Sequence, residues 1–146
     1  MSMTNAAEQA FLDLLFLNVD WANIGDASGL QNSAAAGSLY ISLHTADPGE
    51  SGDQTTNETN YTNYNRVAVP RDGSGWSRAS STISNASKIT FPQCTGGSSV
   101  ITHFGIGTAS TSTGNLIMKG ALTVAITVST NIQPEFVIGT LTATVD

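Results

Sequence analysis

Residues 39–44 alternate apolar Leu39, Ile41 and Leu43 with Tyr40, Ser42 and His44, and the run ends at Asp47-Pro48-Gly49. A period of two sends successive side chains to opposite faces of an extended chain, and Pro followed by Gly stops and turns it. The same pattern returns in residues 66–70, 76–80, 87–91, 99–107, 116–119, 122–128 and 136–145, with Gly, Ser, Asn and Asp in the gaps. The cleanest alternation runs through Leu122, Val124, Ile126 and Val128. About eight short strands at regular spacing predict a mainly β chain, an antiparallel two-sheet β-sandwich of jelly-roll type. Each strand would give an apolar row to a shared core and a row of Ser, Thr and Ala to the outside.

Ahead of the strands, Asn5 followed by Glu8 matches a capping box, and Ala7, Phe11, Leu14, Leu15 and Asn18 recur at helical spacing. This predicts one amphipathic helix over residues 6–19. Leu12, Phe16 and Leu17 lie off that stripe, so the helix is either deeply buried or packed on a partner. Gly25, Gly29 and Gly37 mark a flexible connection to the first strand. Residues 50–65, rich in Asn, Thr and Tyr and without a period, predict a long surface loop that contacts a partner. A chain of 146 residues suits one domain that buries its core without disulfides or metals.

Charged residues make up 11% of the chain, against about 25% in ordinary globular proteins. A soluble monomer relies on interspersed charge to stay dispersed, so a surface of Ser, Thr, Asn and Gly suggests a chain that works assembled. The net charge of −6 comes without any Lys/Arg cluster, which argues against direct contact with nucleic acid. Cys94 stands alone and reads as a small buried hydrophobe, compatible with synthesis in a reducing host cytosol. The apolar stretch 11–17 is broken by Asp13 and has no basic flank, so it predicts neither a signal peptide nor a membrane span.

No catalytic or cofactor constellation emerges. His44 and His103 sit within strand patterns and read as structural, and one cysteine with two histidines supplies no zinc set. No Gly-x-Ser-x-Gly elbow places a nucleophile. Asp47, Glu50 and Asp53 recur at three-residue spacing in a turn but lack the Asp-x-Asp-x-Asp-Gly order of a calcium loop, and read as a solvated acidic turn. The chain is therefore expected not to be an enzyme and to hold no metal. Aromatic and Arg side chains are the usual anchors of interfaces, which makes Tyr61, Tyr64, Arg66 and Trp76 interface candidates, beside Phe11 and Leu15 on the helix. Ordinary edge packing is the competing reading for the first four.

The string from Leu39 to Glu50 resembles a family of small tailed-phage virion proteins. So do Thr56-Asn57-Glu58, Arg66-Val67-Ala68-Val69, Gly75-Trp76, Thr95-Gly96-Gly97, the segment 102–109 and Gly120-Ala121-Leu122, so that the likeness covers nearly the whole chain. Members are often labelled tail fibre proteins, and similar sandwiches act as capsid cement. The resemblance implies a virion structural protein. The expected role is a trimeric decoration protein that clamps neighbouring copies of the major capsid protein on the outer surface of the head. A tail or fibre component is the alternative. A carbohydrate-binding module using Tyr61, Tyr64 or Trp76 as a stacking platform is a second alternative.

Overall fold

The computed structural model describes residues 2–145. Among the described residues one helix, α1 (Asn5–Phe16), precedes nine strands: β1 (Ser38–His44), β2 (Val67–Pro70), β3 (Trp76–Ala79), β4 (Thr82–Asn85), β5 (Ile89–Thr90), β6 (Ser98–Gly107), β7 (Leu116–Ser129), β8 (Glu135–Phe136) and β9 (Thr142–Thr144). The fold is mainly β with one N-terminal helix, as the alternation predicts, and each strand pair with a described register is antiparallel. The strands form sheets in the orders β2-β1-β6-β7, β3-β4-β9 and β5-β8. The chain gathers into two compact units. One holds the residues up to Ser38, Pro70–Lys88 and Val137 onward, and the other holds Leu39–Val69 and Ile89–Phe136.

In the first unit, α1 lies on the sheet β3-β4-β9. Register puts Trp76 opposite Asn85, and Arg78 opposite Ile83 and so beside Ala143, all on one face. The helix meets that face through Glu8, Leu12 and Phe16, which are buried, and the Phe16 ring stands edge-on to Trp76 with centroids 4.7 Å apart. This differs from the expected stripe of Ala7, Phe11, Leu14, Leu15 and Asn18, because the sheet selects the face that also brings Glu8 to the Ser81 hydroxyl and Asp13 to Arg78. The cap also shifts by one residue: Thr4, not Asn5, accepts the Ala7 N–H. The helix ends before residue 19 because Asn18 turns left-handed at φ 54° and the Val19 N–H closes on the Asp13 carbonyl. Arg71 then donates to the carbonyls of Leu14 and Leu15 at 2.8 and 2.7 Å, satisfying acceptors that a helix C-terminus leaves open.

In the second unit, β1 is central and buried on both faces, where a half-buried strand was expected. On one face Ile41 pairs with Ile106 and Leu43 with Phe104. An aromatic chain continues from Phe104 to Phe136, Phe91, Tyr64 and Tyr61 at centroid spacings of 5.9, 6.2, 6.3 and 5.3 Å, bringing the small sheet β5-β8 over the large one. The other face holds Ser42 and His44 beneath the loop after β1. The close approach of the loop depends on Gly107, and the room for the Ser42 and His44 side chains depends on Gly105. A Cβ on Gly107 would lie 2.1 Å from Gln54 Cδ, and one on Gly105 would lie 2.7 Å from Ser42 Oγ.

Three boundaries differ from the expectations. The stretches 116–119 and 122–128 join in one strand, β7, with a register shift that leaves Leu122 to Ala125 opposite Thr102 alone. Such a bulge breaks the inside-outside alternation, so Val128 is buried while Val124 is 75% exposed. The strand β4 was hidden because Ser84 and Asn85 look like turn residues. Asn85 is instead buried and bonds Ser87, Val137 and Leu141. Residues 136–145 split into β8 and β9 around a turn at Gly139, with φ 77°.

Replacing Gly107 by Ala forces Gln54 out of its place. Overpacking of this kind costs about 1–3 kcal/mol, and thermal unfolding of Gly107→Ala should show a loss of that size with the secondary structure unchanged.

Candidate functional site

The loop of residues 50–65 is the segment from which a partner contact was expected, and most of its long side chains point inward. Glu58 and Arg66 form a two-pronged pair, Nε to Oε1 and Nη2 to Oε2 at 2.7 Å each, with their side chains 14% and 3% exposed. The Tyr64 hydroxyl donates to Glu58 Oε1 at 2.8 Å and accepts the Leu43 N–H of β1 at 3.0 Å. Arg66 donates further to the carbonyls of Ala109 and Ser112 at 2.9 and 2.8 Å. One charged pair thus ties together β1, the 50–65 loop and the turn after β6. Burial first, and the neighbouring Glu58 charge second, push the Tyr64 hydroxyl well above the ordinary phenol range. The hydrogen bonds to Glu58 hold the Arg66 guanidinium charged.

Beside this pair lies His44. Its Nδ1 is 2.8 Å from the Thr56 carbonyl, which can only accept, so Nδ1 carries the proton. Nε2 is then the acceptor for the Ser42 hydroxyl at 2.8 Å. A serine that donates to a neutral imidazole has the outline of an activated nucleophile. Here both residues are fully buried beneath the loop and Gly105, and the pair acts as a hydrogen-bonded strut. Desolvation lowers the His44 pKa below its ordinary 6.5, against the opposing effect of the Thr56 bond. Gln54 completes the cover, accepting the Ala109 N–H at 2.9 Å and donating to the Tyr40 carbonyl at 3.3 Å.

Of the interface candidates, Tyr61 and Trp76 are buried within the single chain, and Arg66 is committed to Glu58. The Tyr61 hydroxyl donates to the Pro92 carbonyl, and burial pushes its pKa up to about 12. Trp76 Nε1 has no hydrogen-bond acceptor among the described residues, and its ring packs edge-on against Phe16. Tyr64 is half-buried with its hydroxyl engaged, whereas Phe11 and Leu15 are half-buried on α1. None of the three aromatics therefore presents an open stacking face in this chain. Sequence reasoning passed over Trp21, which is half-buried and pairs with Leu30 in a short hairpin. The signal was available: Asp26 accepts the N–H groups of Ser28 and Gly29, a turn legible in Asp-x-Ser-Gly.

The acidic turn faces a lysine. Lys119 Nζ lies 3.0 Å from Asp47 and 3.1 Å from Glu50, and Asp53 instead accepts from Thr55 and Thr56. Among the described residues no group of three or more His, Cys, Asp or Glu side chains gathers in a metal-binding arrangement, and no helix is long and apolar enough to cross a membrane.

Fold and site together define a small β-rich protein whose polar motifs hold its own loops in place. The family model of Podophage GP4 fiber I protein gp80 matches residues 2–144, and the chain belongs to that family. It is a family of phage virion structural proteins, and the chain is accordingly a structural protein of the virion. No curated protein matches the chain.

Removing one partner of a buried pair leaves the other charge uncompensated, at about 3–5 kcal/mol. Glu58→Gln should lower stability by the lower end of that range in denaturant unfolding, since some exposure remains. The His44 pKa is depressed on folding, so its contribution is fully present above the unfolded value of 6.5 and is lost as pH falls through the folded value. A pH series of melting temperatures should fall below 6.5, and the fall should be smaller in His44→Gln.

Proposed function

We propose that this chain is a structural subunit of a virion fibre. The observation that carries the reading is the match of the fibre family over residues 2–144. The fold agrees in character: of the motifs shared with small virion proteins, 39–50, 56–58, 66–69 and 102–109 meet around β1 and the Glu58–Arg66 pair, where they stiffen the second unit. A stiff, charge-poor module suits repeated assembly, because its faces can be covered without stripping water from free ions. Its partners are other virion subunits and further copies of itself, the latter expected from the resemblance as a trimer.

The clamp on the head exterior, with the major capsid protein as partner, draws on the same composition and is the second reading. The family's description as a fibre protein places the fibre ahead of it. A glycan platform on Tyr61, Tyr64 or Trp76 has little support, since all three side chains are held in the fold.

Gold-labelled antibody on intact virions tests the order of these readings. Label confined to the tail region, in a few to a few dozen copies, is the expected result. Label spread over the head in hundreds of copies, with heads lacking the protein losing DNA on mild heating, would establish the clamp instead.

A further inference from the structure

Residues 2–37 form an arm, α1 and a hairpin, that is closed by bonds of its own. Asn18 accepts the Ser33 N–H and donates to the Ser33 carbonyl, Asp20 accepts the Asn32 N–H, and Trp21 pairs with Leu30. Among the described residues of the first unit, the hydrogen bonds and ion pairs that join this arm to the rest of the unit all run through Arg71, Arg78 and Ser81. Arg71 carries most of them. Its Nε and Nη2 donate to the Leu15 and Leu14 carbonyls at 2.7 and 2.8 Å, and its Nη1 to the Ala36 carbonyl and the Ser33 hydroxyl at 3.2 and 3.3 Å. Its backbone N–H donates to the Gly37 carbonyl at 3.0 Å. One residue thus grips the end of the helix, the base of the hairpin and the link that follows.

We propose that residues 2–37 are a strap that lifts from the sheet β3-β4-β9 while the second unit stays folded, with Arg71 as its latch. No strand ladder joins the arm to that sheet, so the helix and the hairpin keep their own backbone bonds when the arm lifts. Segments bounded in this way open as cooperative units below the global unfolding free energy. The link Ala34-Ala35-Ala36-Gly37 bonds to Arg71 alone among the described residues, and letting go of Arg71 frees it to turn. The surface beneath α1 is also incompletely compensated. Glu8 is 5% exposed and its carboxylate is bonded there by a neutral hydroxyl, that of Ser81. Trp76, against whose ring Phe16 packs, has its buried Nε1 without an acceptor among the described residues. Polar groups withdrawn from water on such terms cost stability, and lifting α1 returns Glu8 to water. Leu12 and Phe16 are fully buried in the closed arm, so the closed state dominates and the open one is a minor population set by the latch. Opening uncovers Trp76 and Ile83 on the sheet, a surface that the closed chain withholds. The strap belongs to the single chain, whatever the number of copies in the virion, and does not depend on the fibre reading.

Native-state hydrogen exchange of the full chain, read segment by segment by mass spectrometry, tests the strap. The hydrogen-bonded amides of α1 should be at least about tenfold less protected than those of β1 and β6. Arg71→Gln should speed exchange in α1 about tenfold or more, since it removes several bonds from a charged donor, and should leave β1 and β6 unchanged. Gly107→Ala, which loosens the second unit, should do the reverse, speeding β1 and β6 and leaving α1 as it was. Equal protection of α1, β1 and β6 would overturn the proposal, because the arm would then open only with the whole chain. So would an Arg71→Gln chain whose α1 exchanges no faster, or one in which β1 and β6 quicken as much as α1. Where Arg71→Gln fails to fold, Asp13→Asn serves, since the Asp13–Arg78 pair is part-exposed; faster exchange confined to α1 is expected, and a change shared with β1 and β6, or none, would overturn the strap.

Discussion

The pair between Glu58 and Arg66 is the interaction on which the second unit depends. Both side chains are largely withdrawn from water, and such ions are tolerated only where geometry and additional hydrogen bonds compensate their lost hydration. Here the compensation is extensive: two parallel bonds between the pair, the Tyr64 hydroxyl on the carboxylate, and two turn carbonyls on the guanidinium. A pair satisfied in this way specifies more than it stabilises. It sets the path of the loop after β1 and the position of the turn after β6, and these cover the faces of the central strand.

The neighbouring Ser42–His44–Thr56 relay works by the same logic. Polar side chains on a strand normally face solvent, and the two here are covered because Gly107 leaves room for Gln54 of the loop and Gly105 leaves room for the two side chains themselves. Hydrogen bonding then supplies what the covering removes. The local geometry of a nucleophile and its base arises as a by-product of satisfying a buried hydroxyl and imidazole. Geometry alone, without access, makes a strut.

This inward use of polar groups bears on what remains for partners. Tyr61, Arg66 and Trp76 are the residue types that anchor interfaces elsewhere, and they serve the interior here. What the first unit leaves exposed is Val19, Ile24 and Leu30 between α1 and β1, with Val137 and Ile138 ahead of β9. For a virion protein poor in charge, contact surfaces of this kind suit permanent neighbours better than transient ones, since little ionic desolvation opposes association.

The sequence by itself determined the class of fold, the helix, most strands and the family, because period-two alternation, turn residues and local motifs are short-range properties. It also supplied every residue of the Glu58–Arg66 network without indicating that they meet. Tertiary structure decided which face of α1 is buried, because two apolar stripes were available and only packing against Trp76 and Arg78 chooses between them. It decided that Asn85 belongs to a strand, since its partners Val137 and Leu141 are distant in the chain. It likewise turned Val124 outward through a bulge whose cause lies in the register with β6. Alternation is written along the chain, whereas burial is a relation between segments far apart in it.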